Sequence, residues 1–269
     1  MKRTVLHMAI VSCIAGITCA LHGADVKTFD VPSAAMGMAV KVSVVTPAAY
    51  GTDSKARFPV VYLLHGAGND HTTYIQPFLL DGVDKWRFIA VVPDGKLDWW
   101  MDSPLLPKVR RETFVVNELV PWVDAEFRTL PQRQRRAVAG HSMGGQGAMR
   151  LGMRHADVFG IVGNVMGGVD ICAAANRKEL VRLLGALRGE RGALAVVLRP
   201  CRSRAAAAGR PAPLLHRGDR GLFLEAEPRP ARVAVQAPNR PRIHGGARRD
   251  GGYVKTHEAF RVLGTWASL

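Results

Sequence analysis

The stretch Arg136-Ala137-Val138-Ala139-Gly140-His141-Ser142-Met143-Gly144-Gly145-Gln146-Gly147 decides the fold. Residues 136–140 form a short run suited to a strand covered on both faces, and residues 147–153 have the small, helix-compatible side chains of a helix packed behind it. Between them lies Gly-x-Ser-x-Gly. In this pattern the serine occupies a strained strand-to-helix turn, and the flanking glycines remove side chains that would collide with neighbouring backbone. Such a turn exposes the hydroxyl above a sheet and sets a helix N-terminus behind it, where backbone N–H groups favour developing negative charge. Ser142 is the candidate nucleophile.

Working outward, residues 58–64 are a continuous apolar run closed by His65-Gly66-Ala67-Gly68, and residues 88–92 are a second, closed by Pro93-Asp94-Gly95. Both read as buried parallel strands, as does the run at 161–165. Across residues 111–129, Val115, Leu119, Trp122, Val123 and Phe127 recur at helical spacing, with Glu112, Glu118, Asp124 and Glu126 on other faces, which predicts an amphipathic crossover helix. Alternating segments at 26–50 predict a strand pair that starts the sheet. Strand, helix and strand in alternation indicate an α/β fold with a doubly wound, mostly parallel sheet.

The chain has 269 residues, 48% of them apolar, enough for one sizeable core. Lys2 and Arg3 precede a mostly apolar stretch at 5–20 with small residues at Thr18 and Ala20, so residues 1–24 read as an export signal and residues 25–269 as the catalytic domain. A lipidated Cys13 is the alternative reading of that segment. The expected location is periplasmic or secreted, without stable membrane insertion after signal removal. Of the four cysteines, Cys13 and Cys19 fall within the signal, and the spacing of Cys172 and Cys201 fits no metal site.

The net charge of +15 is uneven. Residues 1–172 carry 18 Lys and Arg against 15 Asp and Glu, while residues 173–269 carry 19 against 7. The excess therefore belongs to the C-terminal third, which lacks the interleaved aromatics of a nucleic-acid surface, and no nucleic acid is expected as a partner.

The His65-Gly66-Ala67 loop follows an earlier strand, where a serine-turn fold places its second oxyanion donor, so the backbone N–H groups of Ala67 and Met143 are the expected oxyanion hole. His65 and His141 read as structural, because each adjoins a backbone feature that explains its segment.

Five ordered runs, VVYLLHGAGND, VVPDG, WWMDSP, ELVPWVDAEFRT and AVAGHSMGGQGAM, resemble the esterase family of α/β-hydrolases that includes esterase D (S-formylglutathione hydrolase), feruloyl esterases and the antigen 85 mycolyltransferases. The resemblance covers residues 26–170. It implies hydrolysis of a small-molecule or polysaccharide-linked carboxylic ester through an acyl-enzyme on Ser142, with no metal and no cofactor. It also implies that Trp99, Trp100 and the segment at 101–104 border the substrate pocket.

The family's acid and histidine should follow Ser142, yet residues 187–249 are dense in Arg, Pro, Ala and Gly and show no convincing strand. Moved by one base, the intervals 189–200, 217–234 and 239–249 admit codons that spell strings of the family's kind. This predicts a reading-frame change that removes both residues, with the original frame resuming near Asp250. Asp219 lies close in sequence to the lost acid, and His244 and His257 bracket the lost histidine; Asp219 and His257 are taken as the substitutes. A segment so altered is expected to disrupt the last strands and to lower solubility. Transfer of the acyl group to a sugar or alcohol uses the same intermediate, and a non-catalytic binding protein that keeps the hydrolase shell is the reading outside enzymes.

Overall fold

Two nine-residue strands, β1 (Asp25–Ser33) and β2 (Met38–Thr46), pair antiparallel and open the chain. In this computed structural model the described residues are 23–168 and 178–185, with the backbone of three strands at 214–218, 221–225 and 233–236. Asp84 ties the strand pair to the following helices: its carboxylate accepts from the N–H of Ala24 at 2.9 Å and of Ala48 at 2.6 Å, the latter opening α1 (Ala48–Thr52).

Strand β3 (Val60–Leu64) and strand β4 (Ile89–Pro93) are buried at every residue, and α2 (Pro77–Trp86) crosses between them. Their unbroken apolar runs have this cause, since alternate side chains enter two different cores. Val60, Tyr62 and Leu64 join one cluster with Ile89, Val91 and Val138, while Val61 and Leu63 join the other with Ala90, Val92 and Ala137.

The predicted crossover helix runs as α3 (Arg111–Thr113), a π-helical turn (Phe114–Leu119) and α4 (Val120–Glu126). Pro121 accounts for the wide turn: it lacks an N–H and its ring crowds the carbonyl four residues back, so the ladder shifts to a bond from Val120 N–H to the Val115 carbonyl. The buried apolar positions are Phe114, Val115, Val116, Leu119, Val120 and Val123. Phe127 has left the helix in extended conformation, where its ring meets those of Phe29 and Trp122.

Strand β5 (Arg136–His141) leads into α5 (Met143–Arg154), followed by β6 (Ile161–Val165) and α6 (Lys178–Leu184). Three further strands, β7 (Leu214–Gly218), β8 (Gly221–Glu225) and β9 (Val233–Gln236), complete a sheet of order β1-β2-β4-β3-β5-β6-β9-β8-β7. The centre is parallel from β4 to β9 and both margins are antiparallel, so the sheet is mixed where the sequence suggested one mostly parallel.

The last three strands fall within the interval where the sequence showed none. Each is only four or five residues long, too short for its pattern to stand out among Arg, Pro and Gly. An open parallel edge supplies what the pattern lacks: β9 pairs with β6 from Val162↔Val233 to Val165↔Gln236. The rest of residues 187–249 lies outside the described residues, as do residues 1–22 of the 1–24 segment read as an export signal, Cys172 and Cys201.

Candidate active site

Ser142 has φ 54° and ψ −118°, a left-handed backbone that a side chain rarely adopts. Two bonds hold it there. Its N–H donates to the Val165 carbonyl at the end of β6 at 2.9 Å, and its own carbonyl accepts from Gln146 N–H at 3.0 Å, the first bond of α5. Ser142 is exposed while Met143 and the next six residues are buried, so the turn presents the serine and hides everything behind it.

The glycines on either side are required by backbone, not by preference. A Cβ on Gly140 would lie 2.4 Å from the carbonyl carbon of Gly144, and one on Gly144 would lie 1.8 Å from the Leu64 carbonyl oxygen. Gly145 is as tightly placed, 2.3 Å from Asn164 Oδ1 by the same construction. Asn164 is itself fixed, donating to the Gly167 carbonyl and accepting from its N–H, which holds the loop after β6 against the start of α5.

Gly66 brings the loop after β3 to the same place. A Cβ there would sit 3.5 Å from Ser142 Cβ. Gly66 to Asn69 form a turn closed by Asn69 N–H donating to the Gly66 carbonyl at 3.2 Å, and Gly68 supplies φ 80° at its third position, as a type II turn requires. Among the described residues, neither the Ala67 N–H nor the Met143 N–H donates a hydrogen bond, and Met143 occupies the first position of α5, whose N–H groups have no partner inside the helix. Two donors next to one exposed hydroxyl can receive the oxygen of a carbonyl under attack.

His65 is buried and committed to structure. Its Nδ1 lies 2.8 Å from the Gly66 carbonyl oxygen, and its Nε2 accepts from Gly95 N–H at 2.8 Å, which fixes the neutral ring with the proton on Nδ1. Its own carbonyl accepts from Trp100 Nε1 at 3.2 Å. His141, beside the serine, is half-buried, and that burial lowers its pKa below the usual histidine range.

Trp99 and Trp100 both have positive φ, at 52° and 55°. Trp99 is 7% exposed and Trp100 is sealed, its indole lying between Gly95 and Gly147, so Trp100 packs the elbow helix against the loop after β4. The neighbouring Ser103 Oγ donates to the Leu183 carbonyl at 2.6 Å and anchors α6. Asp102 accepts from the N–H and hydroxyl of Thr113, joining this loop to α3.

Two charge networks had no signal in the sequence. Asp98, 84 residues from Arg182, accepts from it and from buried Arg111. Glu112 accepts from Arg150 and Arg154 and lies 2.8 Å from His155 Nε2, clamping the end of α5. Asp219 falls in the link between β7 and β8, and Asp219, His244 and His257 all lie outside the described residues. Among the described residues, no group of three or more His, Cys, Asp or Glu is placed to hold a metal ion, and no helix is long and apolar enough to cross a membrane.

The family model described as "Putative esterase" matches residues 33–240. An esterase of Mycobacterium tuberculosis is 37% identical over 128 residues, covering 46% of this chain and 28% of that protein. An endo-1,4-beta-xylanase/feruloyl esterase of Xylanibacter ruminicola is 32% identical over 163 residues, 55% of this chain and 22% of that protein. Both matches span less than a third of the relative's length. A solved ferulic acid esterase superposes with a TM-score of 0.54 at 27% identity, over 61% of this chain and 66% of that one. The fold is that of the α/β-hydrolases.

Proposed function

Because the chain belongs to the esterase family whose model matches residues 33–240, we propose that it hydrolyses carboxylic esters through an acyl-enzyme on Ser142. The observation that carries this reading is the meeting of Gly66 with an exposed Ser142 on a strained elbow. The Ser142 oxygen attacks the ester carbonyl while its proton passes to a base, and the carbonyl oxygen takes the negative charge. The Ala67 and Met143 N–H groups receive that charge, which backbone donors do without reorganising at the moment of reaction. Collapse of the intermediate expels the alcohol with the transferred proton, and water repeats the sequence to release the acid. Trp100 acts in this reading by holding the loop after β4 against α5, and Trp99 is the tryptophan nearer the substrate.

The base and the acid that orients it are assigned to His257 and Asp219, residues positioned by sequence order alone. The feruloyl esterase names of two relatives support an ester of a polysaccharide-linked aromatic acid as the substrate class. Export through residues 1–24 fits such a substrate. Retention of the acyl group for a competing alcohol, the transferase variant of the same chemistry, has no separate observation in its favour.

Two measurements test the reading. The chain should release p-nitrophenol from p-nitrophenyl butyrate, and a fluorophosphonate probe should label it in a manner abolished by Ser142→Ala. A folded chain that neither turns over the ester nor takes the label is a hydrolase-shaped binding protein instead. Sequencing the gene across codons 185–252 decides whether the family's acid and histidine were lost to a frame change.

A further inference from the structure

One turn separates the serine from a second feature. Gly66 stands against Ser142, and two and three residues on, Gly68 and Asn69 form part of the wall of a cleft of about 750 Å³. That volume is within the range of small-molecule sites. The cleft continues between the loop after β4 and α6, and it meets the serine site at the turn that carries Gly66 and Ala67.

Its charge is one-sided. Lys96, Lys108, Arg111, Lys178 and Arg182 line it against two carboxylates, Asp98 and Glu179. Asp98 is shared between two guanidiniums, accepting from Arg111 Nε at 2.9 Å and Arg182 Nη2 at 2.6 Å, which leaves a net positive floor. Lys96 is paired with Asp94 at 2.6 Å. Lys108 and Lys178 are exposed and have no ion-pair partner among the described residues. Concave surfaces lined by one sign of charge focus the field and concentrate the opposite ion. The remaining wall is apolar: Leu97 and Met38 stand 39% and 48% exposed, open for contact with a hydrocarbon or aromatic body.

Resting on the esterase reading above, we infer that this cleft recognises a carboxylate on the ester substrate, so that the preferred esters carry a free acid group beside the bond that is cut. The carboxylate meets Lys108 and Lys178 at the rim, where each cation lacks a partner. The apolar body of the molecule lies along Leu97 and Met38, and the cleft's continuity with the Gly66–Asn69 turn sets the distance between the recognised acid and the attacked carbonyl.

Calorimetric titration of the full chain with 4-phenylbutyrate and with its neutral amide, 4-phenylbutyramide, tests this without relying on turnover. At low salt the carboxylate should bind about tenfold tighter than the amide, an advantage that falls to about twofold as added salt screens the lysines. The double variant Lys108→Gln, Lys178→Gln should reduce the advantage in the same way, and both positions are exposed, so folding is not at risk. Equal binding of the two compounds, or an advantage untouched by the double variant, overturns the assignment. Hydrolysis of p-nitrophenyl butyrate is measured alongside. Turnover or fluorophosphonate labelling without a carboxylate preference overturns the cleft assignment alone, whereas a preference with neither turnover nor labelling overturns the esterase reading and leaves the cleft as a carboxylate site.

Discussion

Gly66 faces Ser142 across two loops: a methyl group on Gly66 would stand 3.5 Å from Ser142 Cβ, an ordinary contact, and 3.2 Å from His141 Nδ1, a tight one. The crowding by His141 favours a glycine after His65, and it separates two kinds of glycine at this site. At Gly66 the neighbours are side-chain atoms and one carbonyl at 3.3 Å, which yield by a few tenths of an ångström. At Gly144 the obstacle is the Leu64 backbone at 1.8 Å, which cannot.

Gly66→Ala should therefore fold with a stability loss of about 1 kcal/mol or less and lose at least about tenfold in kcat/KM, since the shift falls on His141, next to the proposed nucleophile. Gly144→Ala should cost about 3 kcal/mol or more, because it drives β3 away from the elbow. Urea unfolding and ester hydrolysis on both variants check the split. A Gly144→Ala chain as stable as the parent would contradict the elbow geometry.

Strain at the serine makes a separate prediction. A side chain at φ 54° and ψ −118° costs on the order of 1–3 kcal/mol, and glycine avoids most of that. Glycine also has the more flexible unfolded chain, worth about 0.5–1 kcal/mol against it. Ser142→Gly should nonetheless unfold about 1 kcal/mol later than Ser142→Ala, with both inactive. Thermal melts of the two variants compare them directly, and a less stable glycine variant would argue that the elbow is unstrained.

How much of this was legible in the sequence depends on the range of the forces involved. The elbow, the loop after β3 and the central strands are local: glycine spacing and short apolar runs specify them, and the structure has them within a residue or two. Signals that act over distance were silent. Nothing in Asp98 points to Arg182 across 84 positions, and Trp100 reads equally as pocket wall or packing until Gly95 and Gly147 are seen to close on it. The π-helical turn before Pro121 was hidden because a shifted ladder keeps nearly the same amphipathic pattern. Strands β7 to β9 needed the open edge of β6 as their partner.

Trp100 supplies a test of packing by coupling. A Cβ on Gly95 would meet the outer indole ring, at 2.5 Å from Cη2 and Cζ2. Phenylalanine lacks those atoms. Gly95→Ala should cost about 2 kcal/mol in the parent and well under about 1 kcal/mol in a Trp100→Phe background, an interaction energy of the sign expected for a relieved clash. The four unfolding curves of the double-mutant cycle measure it. Strict additivity would mean that the indole and Gly95 do not touch.

Glu112 predicts how the fold responds to acid. Burial alone would raise its pKa, but the hydrogen bond from His155 and the charges of Arg150 and Arg154 outweigh it and hold the carboxyl at about 2, below its ordinary 4.5. In that window the unfolded chain takes up the proton and the folded chain does not, so the clamp stabilises fully above pH 4.5 and loses its effect as pH falls through 2. The difference corresponds to roughly 3 kcal/mol. Glu112→Gln should therefore be less stable than the parent by about that amount at pH 7, with the gap closing steadily between pH 4.5 and pH 2. Urea melts of both chains at pH 7, 4, 3 and 2 trace it. Because the clamp grips the last turn of α5 and not its serine end, relative activity at pH 7 should fall far less than stability. A gap that stayed constant with pH would show that Glu112 holds α5 by packing instead of by charge.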